Sequence, residues 1–480
     1  MFNSIHEECG VFGIYEKENT KIASSVYYGL YALQHRGQEA CGIAVCNNGL
    51  IDYIKGSGLV NEVFNKENIK SINNGNIAIG HVRYSTTGGN NINNIQPIVI
   101  QHNKGNLALA HNGNLVNAYD IRQYFESQGA IFHGTSDTES LCYSIVKERI
   151  KTHSIEDAIE NVMGIIKGAY SCVALSPTKL IAFRDPNGFR PLVLGHTPNG
   201  GYVVASESCA IDAIGGTLIR DILPGEIVVI SENGIKSIMT KEKTKKSLCI
   251  FEYIYFARPD STIEGVSVHA ARQNAGKILA KEAPIDADVV IGVPDSGLDA
   301  ALGYSQESKI PYGIGFIKNK YIGRSFIAPS QEERENAVKI KLNVITETVK
   351  DKKVILIDDS IVRGTTSKRI VKQLRDAGAK EVHLRITAPA FKHPCHFGTD
   401  IDSEENLIAC KYSNNEDICK HIGADSLAFI SVKGIHELAQ DLNCTYCDGC
   451  FTGKYPIEIP ENINNITKYS MSINKNSQNY

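Results

Sequence analysis

The stretch VILIDDSIVRGTTS, Val354 to Ser367, decides the fold. Val354 to Ile357 is an unbroken apolar run, as expected of a strand buried on both faces of a parallel sheet. Adjacent carboxylates, Asp358 and Asp359, stand at its carboxyl end, and Arg363-Gly364-Thr365-Thr366-Ser367 follows. A helix is predicted next, with Ile370, Val371 and Leu374 on one side. Open α/β sheets bind ligands at this edge, where strands end and helices begin. Successive backbone N–H groups from Gly364 to Ser367 can cradle a phosphate, helped by the partial positive charge of the helix start. The paired carboxylates suit ribose hydroxyls or a hard cation. A phosphorylated sugar satisfies both halves of the stretch.

Around this stretch lies a chain of 480 residues, too long for one typical domain. With 42% hydrophobic and 21% charged residues, its composition is that of an ordinary globular protein. The net charge of −3 gives no electrostatic footprint for nucleic acid or for a membrane surface. No apolar stretch approaches the ~20 residues of a membrane span. MFNSIHEE has neither the basic start nor the apolar core of a signal peptide. The expected location is the cytoplasm. Thirteen cysteines is an odd number and a large one for that compartment, where disulfides are rare. Core packing, catalysis and metal binding are the uses left.

The order of apolar strand, acid pair and Arg-Gly-Thr-Thr resembles the phosphoribosyl pyrophosphate (PRPP) loop of type I phosphoribosyltransferases. The resemblance implies that Asp358 and Asp359 hold the ribose 2′- and 3′-hydroxyls. It also implies that Arg363, Gly364, Thr365 and Thr366 bind PRPP, the Gly-Thr-Thr turn taking the 5′-phosphate. Upstream, a helix from Ala270 to Glu282 and a strand from Val289 to Val293 lead into Pro294-Asp295-Ser296-Gly297, a second strand-end loop suited to phosphate or metal. This is similar to the pyrophosphate loop of amidophosphoribosyltransferases, in which Ser296 would join Asp358 and Asp359 in binding Mg²⁺. The polar, basic run from Lys318 to Arg334 resembles the family loop that closes over PRPP and excludes water.

At the other end, Cys9-Gly10 opens a predicted strand, Val11 to Tyr15, and Leu33-Gln34-His35-Arg36-Gly37-Gln38-Glu39 closes a helix containing Val26, Leu30 and Leu33. Gly80-His81-Val82-Arg83 and Ala110-His111-Asn112-Gly113-Asn114 each follow a strand, and Asn112-Gly113 alone is a hairpin signal. Ser136-Asp137 opens a further helix. In this order the motifs resemble the glutaminase domain of class II glutamine amidotransferases, which are N-terminal nucleophile hydrolases. The resemblance runs from Cys9 to the 230s and implies that residues 1–8 are a propeptide whose removal makes Cys9 the first residue. A free α-amino group, with a reference pKa near 7.7–8.0, can then serve as base for its own thiol. By the family pattern Asn112 and Gly113 form the oxyanion hole, Arg83 grips the substrate carboxylate, and Asp137 receives the α-ammonium. Arg36 is positional, and Thr87 stands where many relatives carry Ala.

The region Ser171 to Ile230 reads as strands (SCVALS, KLIAFRD, PLVLGH, GYVVASES, EIVVIS), and the exposed run KEKTKK, Lys241 to Lys246, marks a boundary. The implied fold is α+β and α/β. Residues 9–240 form an αββα sandwich, and residues 241–455 a type I phosphoribosyltransferase domain with a parallel sheet. Residues 456–480 are a polar, Asn-rich tail. Cys444-x-x-Cys447-x-x-Cys450 signals metal, zinc and iron–sulfur both being open on spacing. The motifs across both halves resemble the amidophosphoribosyltransferases, in particular the branch with a propeptide and a [4Fe–4S] cluster. That branch implies Cys249, Cys395, Cys447 and Cys450 as ligands, with Cys444 outside the pattern. It also implies PRPP and glutamine as substrates, Mg²⁺ as cofactor, purine nucleotides as feedback inhibitors, and a homo-oligomer, a tetramer by the family pattern. An amidotransferase serving another acceptor would carry a different second domain. A PRPP-binding repressor would need a helix-turn-helix and a basic face, and the sequence offers neither.

Overall fold

A computed structural model describes residues 9–84, 91–242, 244–319, 342–401, 403–439 and 445–460. The propeptide, Thr87, Cys444, most of the loop expected over PRPP and the tail beyond residue 460 lie outside the described residues.

The first half is built on strands β1 (Gly10–Lys21), β2 (Ala40–Asn47), β3 (Leu50–Ser57), β4 (Asn74–Arg83), β5 (Ile98–His102), β6 (Gly105–Leu115) and β7 (Gly168–Leu175). It continues with β8 (Leu180–Arg184), β9 (Val193–His196), β10 (Tyr202–Ala205), β11 (Thr217–Asp221), β12 (Glu226–Ser231) and β13 (Gly234–Met239). They form one sheet in the order β11-β9-β10-β1-β4-β2-β3 and a second in the order β13-β12-β8-β7-β6-β5. Strand alternation divides their side chains between layers. Val11 and Tyr15 of β1 meet Ala108 and Ala110 of β6 and Val173 of β7 between the sheets. Phe12 and Ile14 point the other way, onto Val26 and Leu30 of the helix Ile22–Ala32. Leu107, Leu109 and Cys172 pack outward against Leu141 and Ile145 of the helix Asp137–Lys151 and Ile159 of the helix Ile155–Met163. The result is the helix–sheet–sheet–helix sandwich expected, with the central strands of both sheets buried on both faces.

Two local expectations are corrected. The helix before Leu33 ends at Ala32, so Leu33 is its cap and Gln34-His35-Arg36 continue the turn beyond. Ala110 to Asn114, expected to follow a strand, lie inside β6, with Asn112 opposite Ser171 and Gly113 opposite Tyr170 of β7, so the hairpin signal makes no turn here. The reason is local: Gly113 takes φ +143, and a Cβ there would lie 2.1 Å from the carbonyl oxygen of Ala169. The glycine permits a close strand approach and does not turn the chain.

The second half carries a parallel sheet in the order Val289–Gly292, Lys353–Asp358, Glu381–Ile386, Ser426–Phe429. Its central strands are fully buried, as the run Val354 to Ile357 requires. The helices Val268–Glu282, Gly297–Ser308 and Thr365–Asp376 contribute Leu279, Ala301, Ile370 and Leu374 to the same core. Because neighbouring strands run parallel, the loops after Gly292 and after Asp358 emerge side by side. Of the run Lys241 to Lys246, Lys246 is not free in solvent: its ammonium pairs with Glu264.

Candidate active site

Cys9 immediately precedes β1 and is buried. Gly10 lies opposite Val82 near the end of β4, and the Cys9 thiol lies 3.4 Å from the carbonyl oxygen of Tyr84. Arg36 donates through Nε to the Cys9 carbonyl at 3.1 Å. One sheet meets the other here through His81, whose Nε2 is 3.1 Å from the carbonyl oxygen of His111. Burial holds the His81 imidazole down at a pKa of about 3, so it is neutral and a hydrogen-bonding group only.

Next to His111 come Asn112 and Gly113. Asn112 is buried, and its Nδ2 has no acceptor among the described residues. A buried donor left without an acceptor is costly unless something else receives it. Asp137 sits at the first position of its helix, with Ser136 capping that helix through Thr138 N–H. Burial alone would raise the Asp137 carboxyl. His111 and the N–H groups of Leu115, at 3.0 Å, and Thr138 outweigh this and hold it below the usual range, as the ionised form. Arg83 is buried nearby, its guanidinium within the field of Cys9, Glu39 and Asp137. The expected nucleophile, oxyanion donors and charged anchors thus share one end of the sandwich.

In the second half, Asp358 and Asp359 are buried at the carboxyl end of their strand. Burial, and for Asp358 the charge of its neighbour, push both carboxyls upward. Two adjacent acids of this kind favour a shared proton, or a cation and hydroxyl donors in its place. Ser296 and Ser360 donate to Asp359. Ser296 reaches it because Gly297 brings its loop onto the strand, a Cβ there falling 2.5 Å from the Ile357 carbonyl oxygen. Gly364 caps the helix Thr365–Asp376 with φ +80, a conformation glycine adopts without strain. Arg363 and Thr365 are exposed and Thr366 half-buried, at the mouth of this loop.

Cys249, Cys395, Cys447 and Cys450 line a single cavity with Phe189, Phe251 and Tyr455. Cys249 and Cys447 face each other in a short parallel pairing of Ser247–Cys249 with Thr445–Cys447. The Cys450 carbonyl accepts from the N–H groups of Lys392 and His393, which draws Cys395 to the same place. Burial pushes the Cys447 thiol up to about 12, with Cys395 adding to it, and raises the Cys450 thiol well above its usual value, with Cys395, Cys249 and Cys447 adding there. Among the described residues no group of three His, Cys, Asp or Glu side chains is placed to hold a single metal ion. Twelve cysteines are free thiols among the described residues.

Sequence reasoning missed a buried charge cluster between the two halves. Arg36 donates to Glu207 at 2.6 Å and to both oxygens of Glu252 at 2.7 and 3.0 Å. Arg190 lies 3.6 Å from Glu252, and His35 is 2.7 Å from Glu207. Glu207 also accepts from Ser261 Oγ at 2.6 Å and Arg258 N–H at 2.9 Å. Burial would raise Glu207, but His35 and Arg36 hold it well below the usual carboxylate range. The one available signal was Glu252 itself, an acid inside the apolar run Cys249 to Phe256.

Residues 81–213 match the glutamine amidotransferase domain family, and residues 265–396 the phosphoribosyl transferase domain family. The amidophosphoribosyltransferase of Bacillus subtilis is 49% identical over 460 residues, 95% of either chain. That of Archaeoglobus fulgidus is 47% identical over 94% of this chain and 98% of its own. Among solved structures, one described as the allosteric regulatory enzyme of purine biosynthesis superimposes with a TM-score of 0.89 at 46% identity, covering 96% of this chain and 99% of that one. The glutamine PRPP amidotransferase of Bacillus subtilis complexed with ADP and GMP gives 0.87 at 47% identity, over 94% and 98%. The chain belongs to the amidophosphoribosyltransferase family.

Proposed function

We propose that the chain carries out the first step of purine synthesis, converting PRPP, glutamine and water to 5-phosphoribosylamine, glutamate and diphosphate, with glutamine opened at Cys9 and PRPP held at the acid pair. Residues 1–8 are removed, and the new α-amino group of Cys9 takes the thiol proton. The thiolate attacks the glutamine amide carbon. Asn112 Nδ2 and the Gly113 N–H receive the oxyanion, while Arg83 and Asp137 hold the substrate carboxylate and ammonium. Ammonia leaves with the returned proton, and water hydrolyses the thioester to glutamate. In the second domain ammonia attacks C1 of PRPP as diphosphate departs. Asp358 and Asp359 orient the ribose, and Gly364 to Thr366 fix its 5′-phosphate. Ser296, Asp358 and Asp359 would hold Mg²⁺, which when bound would supply charge neutralisation on the diphosphate. The raised carboxyls of the pair support this assignment, since a cation removes their repulsion.

The same reading takes residues 9–240 and 241–455 as the two domains and Cys249, Cys395, Cys447 and Cys450 as ligands of a [4Fe–4S] cluster. Convergence of the four on one apolar cavity supports it, and a cluster, unlike a single ion, sits between well-separated sulfurs. When bound it supplies a structural cross-link, since the net reaction involves no redox change. Purine nucleotides act as feedback inhibitors, in keeping with the relative solved with ADP and GMP. No described helix is long and apolar enough to cross a membrane, and the free thiols support the cytoplasm.

The observation that carries the glutaminase half is the buried Asn112 amide with no acceptor among the described residues, beside the constrained Gly113. The test is an intact mass of the purified protein together with its product balance. Loss of residues 1–8, with glutamate and phosphoribosylamine formed in equal amounts, is expected. A full-length, active chain would refute the N-terminal nucleophile.

A further inference from the structure

Glu252 belongs to the second half of the chain, on a single π-helical turn from Glu252 to Phe256, yet it is fully buried against the first. Its two oxygens receive both terminal nitrogens of Arg36, whose Nε holds the Cys9 carbonyl. On its other side lies Arg190, which donates through Nη2 to the Phe397 carbonyl at 2.7 Å. The next residue, Gly398, lies against Gly113: a Cβ on Gly398 would stand 3.4 Å from the Gly113 carbonyl carbon. One carboxylate therefore spans two arginines. The first fixes the backbone of the nucleophile and the second the wall behind the oxyanion donors.

We infer that Glu252 is a positioning residue for glutamine hydrolysis, lent by the phosphoribosyltransferase domain and acting on Cys9 through Arg36 and on Gly113 through Arg190. The inference rests on the reading of Cys9, Asn112 and Gly113 as the glutaminase centre. Its turn is itself held firmly. Arg272, from the helix Val268–Glu282, clasps the carbonyls of Tyr253, Tyr255 and Ala257 at 2.7 to 2.9 Å, and its charge favours the Asp359 carboxylate. The glutaminase centre is thus completed only when the second domain is docked.

Charge supplies a readout that simple packing would not move. Arg36 and Arg190 face Glu252. Arg36 also faces Glu207, which faces His35. Near Cys9 stands Arg83, which also feels Glu39 and Asp137. The two arginines and two carboxylates of the cluster balance, so removing the Glu252 charge leaves a net positive charge beside the Cys9 α-amine. A positive neighbour lowers an amine pKa, and the acid limb of glutamine hydrolysis must move to lower pH.

The experiment compares wild type, Cys9→Ala, Glu252→Gln and Glu252→Asp as full chains at saturating PRPP. Glutamine hydrolysis, glutamine-dependent synthesis and ammonia-dependent synthesis are each followed across pH. Glu252→Gln should lose ~10- to 100-fold in kcat for glutamine hydrolysis, the scale of a small misplacement at a reacting centre. The glutamine KM should stay within ~3-fold, because Arg83 and Asp137 anchor the substrate, and ammonia-dependent synthesis within ~2-fold. Its acid limb should fall by ~0.5 pH unit. Glu252→Asp, which keeps the charge at shorter reach, should lose less and keep the wild-type limb. Equal loss of both syntheses, or a lower rate with an unmoved limb in Glu252→Gln, would overturn the proposal. If Glu252→Gln does not fold, a Glu252→Asp enzyme indistinguishable from wild type overturns it equally. Wild-type glutamine hydrolysis that survives Cys9→Ala instead sinks the underlying reading of the site.

Discussion

The side-chain amide of Asn114 donates to the carbonyl of His396 at 2.9 Å, across 282 residues of sequence. Two features follow this bond along the same wall. Phe397 stacks on Phe189 with ring centroids 4.3 Å apart, and Cys395 precedes it in the cysteine cavity. The strand end that carries Asn112 and Gly113 is therefore braced by the segment that carries one of the four cysteines. Asn112 and Gly113 and the four cysteines thus share structural support without sharing a residue.

Asn112 and Gly113 should separate function from stability. Gly113→Ala places a methyl 2.1 Å from the Ala169 carbonyl oxygen at a left-handed φ. It should cost ~2–4 kcal/mol in urea unfolding and abolish glutamine hydrolysis. Asn112→Ala removes an amide whose Nδ2 has no acceptor among the described residues, so its melting temperature should hold or rise. Its kcat for glutamine hydrolysis should fall ~100- to 1000-fold, the measured scale for one oxyanion donor. Strong destabilisation by Asn112→Ala would contradict the role.

The acid pair makes a pH-dependent prediction. Both carboxyls are raised from the ordinary value of 3.8, by burial and, for Asp358, by its neighbour's charge. The folded state then binds more protons than the unfolded chain above that value. Their contribution to stability is complete below about 3.8 and is lost as pH rises through the raised values. Asp358→Asn with Asp359→Asn should therefore melt higher than wild type in the absence of Mg²⁺ and PRPP, by a margin that grows with pH. Mg²⁺ should stabilise wild type and not the double variant. PRPP turnover from either nitrogen source should be crippled. A double variant that melts lower at every pH would remove the repulsion argument.

For the cysteines, protein purified without oxygen should be brown and hold about four irons per chain. Cys447→Ser should lose iron and colour, because Cys447 is buried and faces Cys249 in register. Cys444→Ser should keep both. Iron analysis and visible absorbance decide it, and a colourless active protein holding one zinc would overturn the cluster.

What the sequence made legible was local chemistry. The strand, acid pair and Gly364 turn are contiguous, and so is the Ser136–Asp137 helix start, so each could be read without knowing any tertiary contact. The placement of Asn112-Gly113 inside β6 was not legible, because the same dipeptide serves a hairpin or a close strand approach, and only Ala169 across the ladder distinguishes them. Arg36, Glu207 and Glu252 were invisible as a cluster. Their partners lie 171 and 216 residues apart, and a buried ion pair leaves no periodicity in a single sequence.

Cys9→Ala tests most directly the proposed division of the reaction between two active sites in separate domains. Phosphoribosylamine formation should be measured with glutamine and, separately, with ammonia as nitrogen donor. The prediction is loss of at least ~1000-fold with glutamine, and an ammonia-dependent rate within ~2-fold of wild type. Equal loss with both donors, or full activity with glutamine, would contradict it.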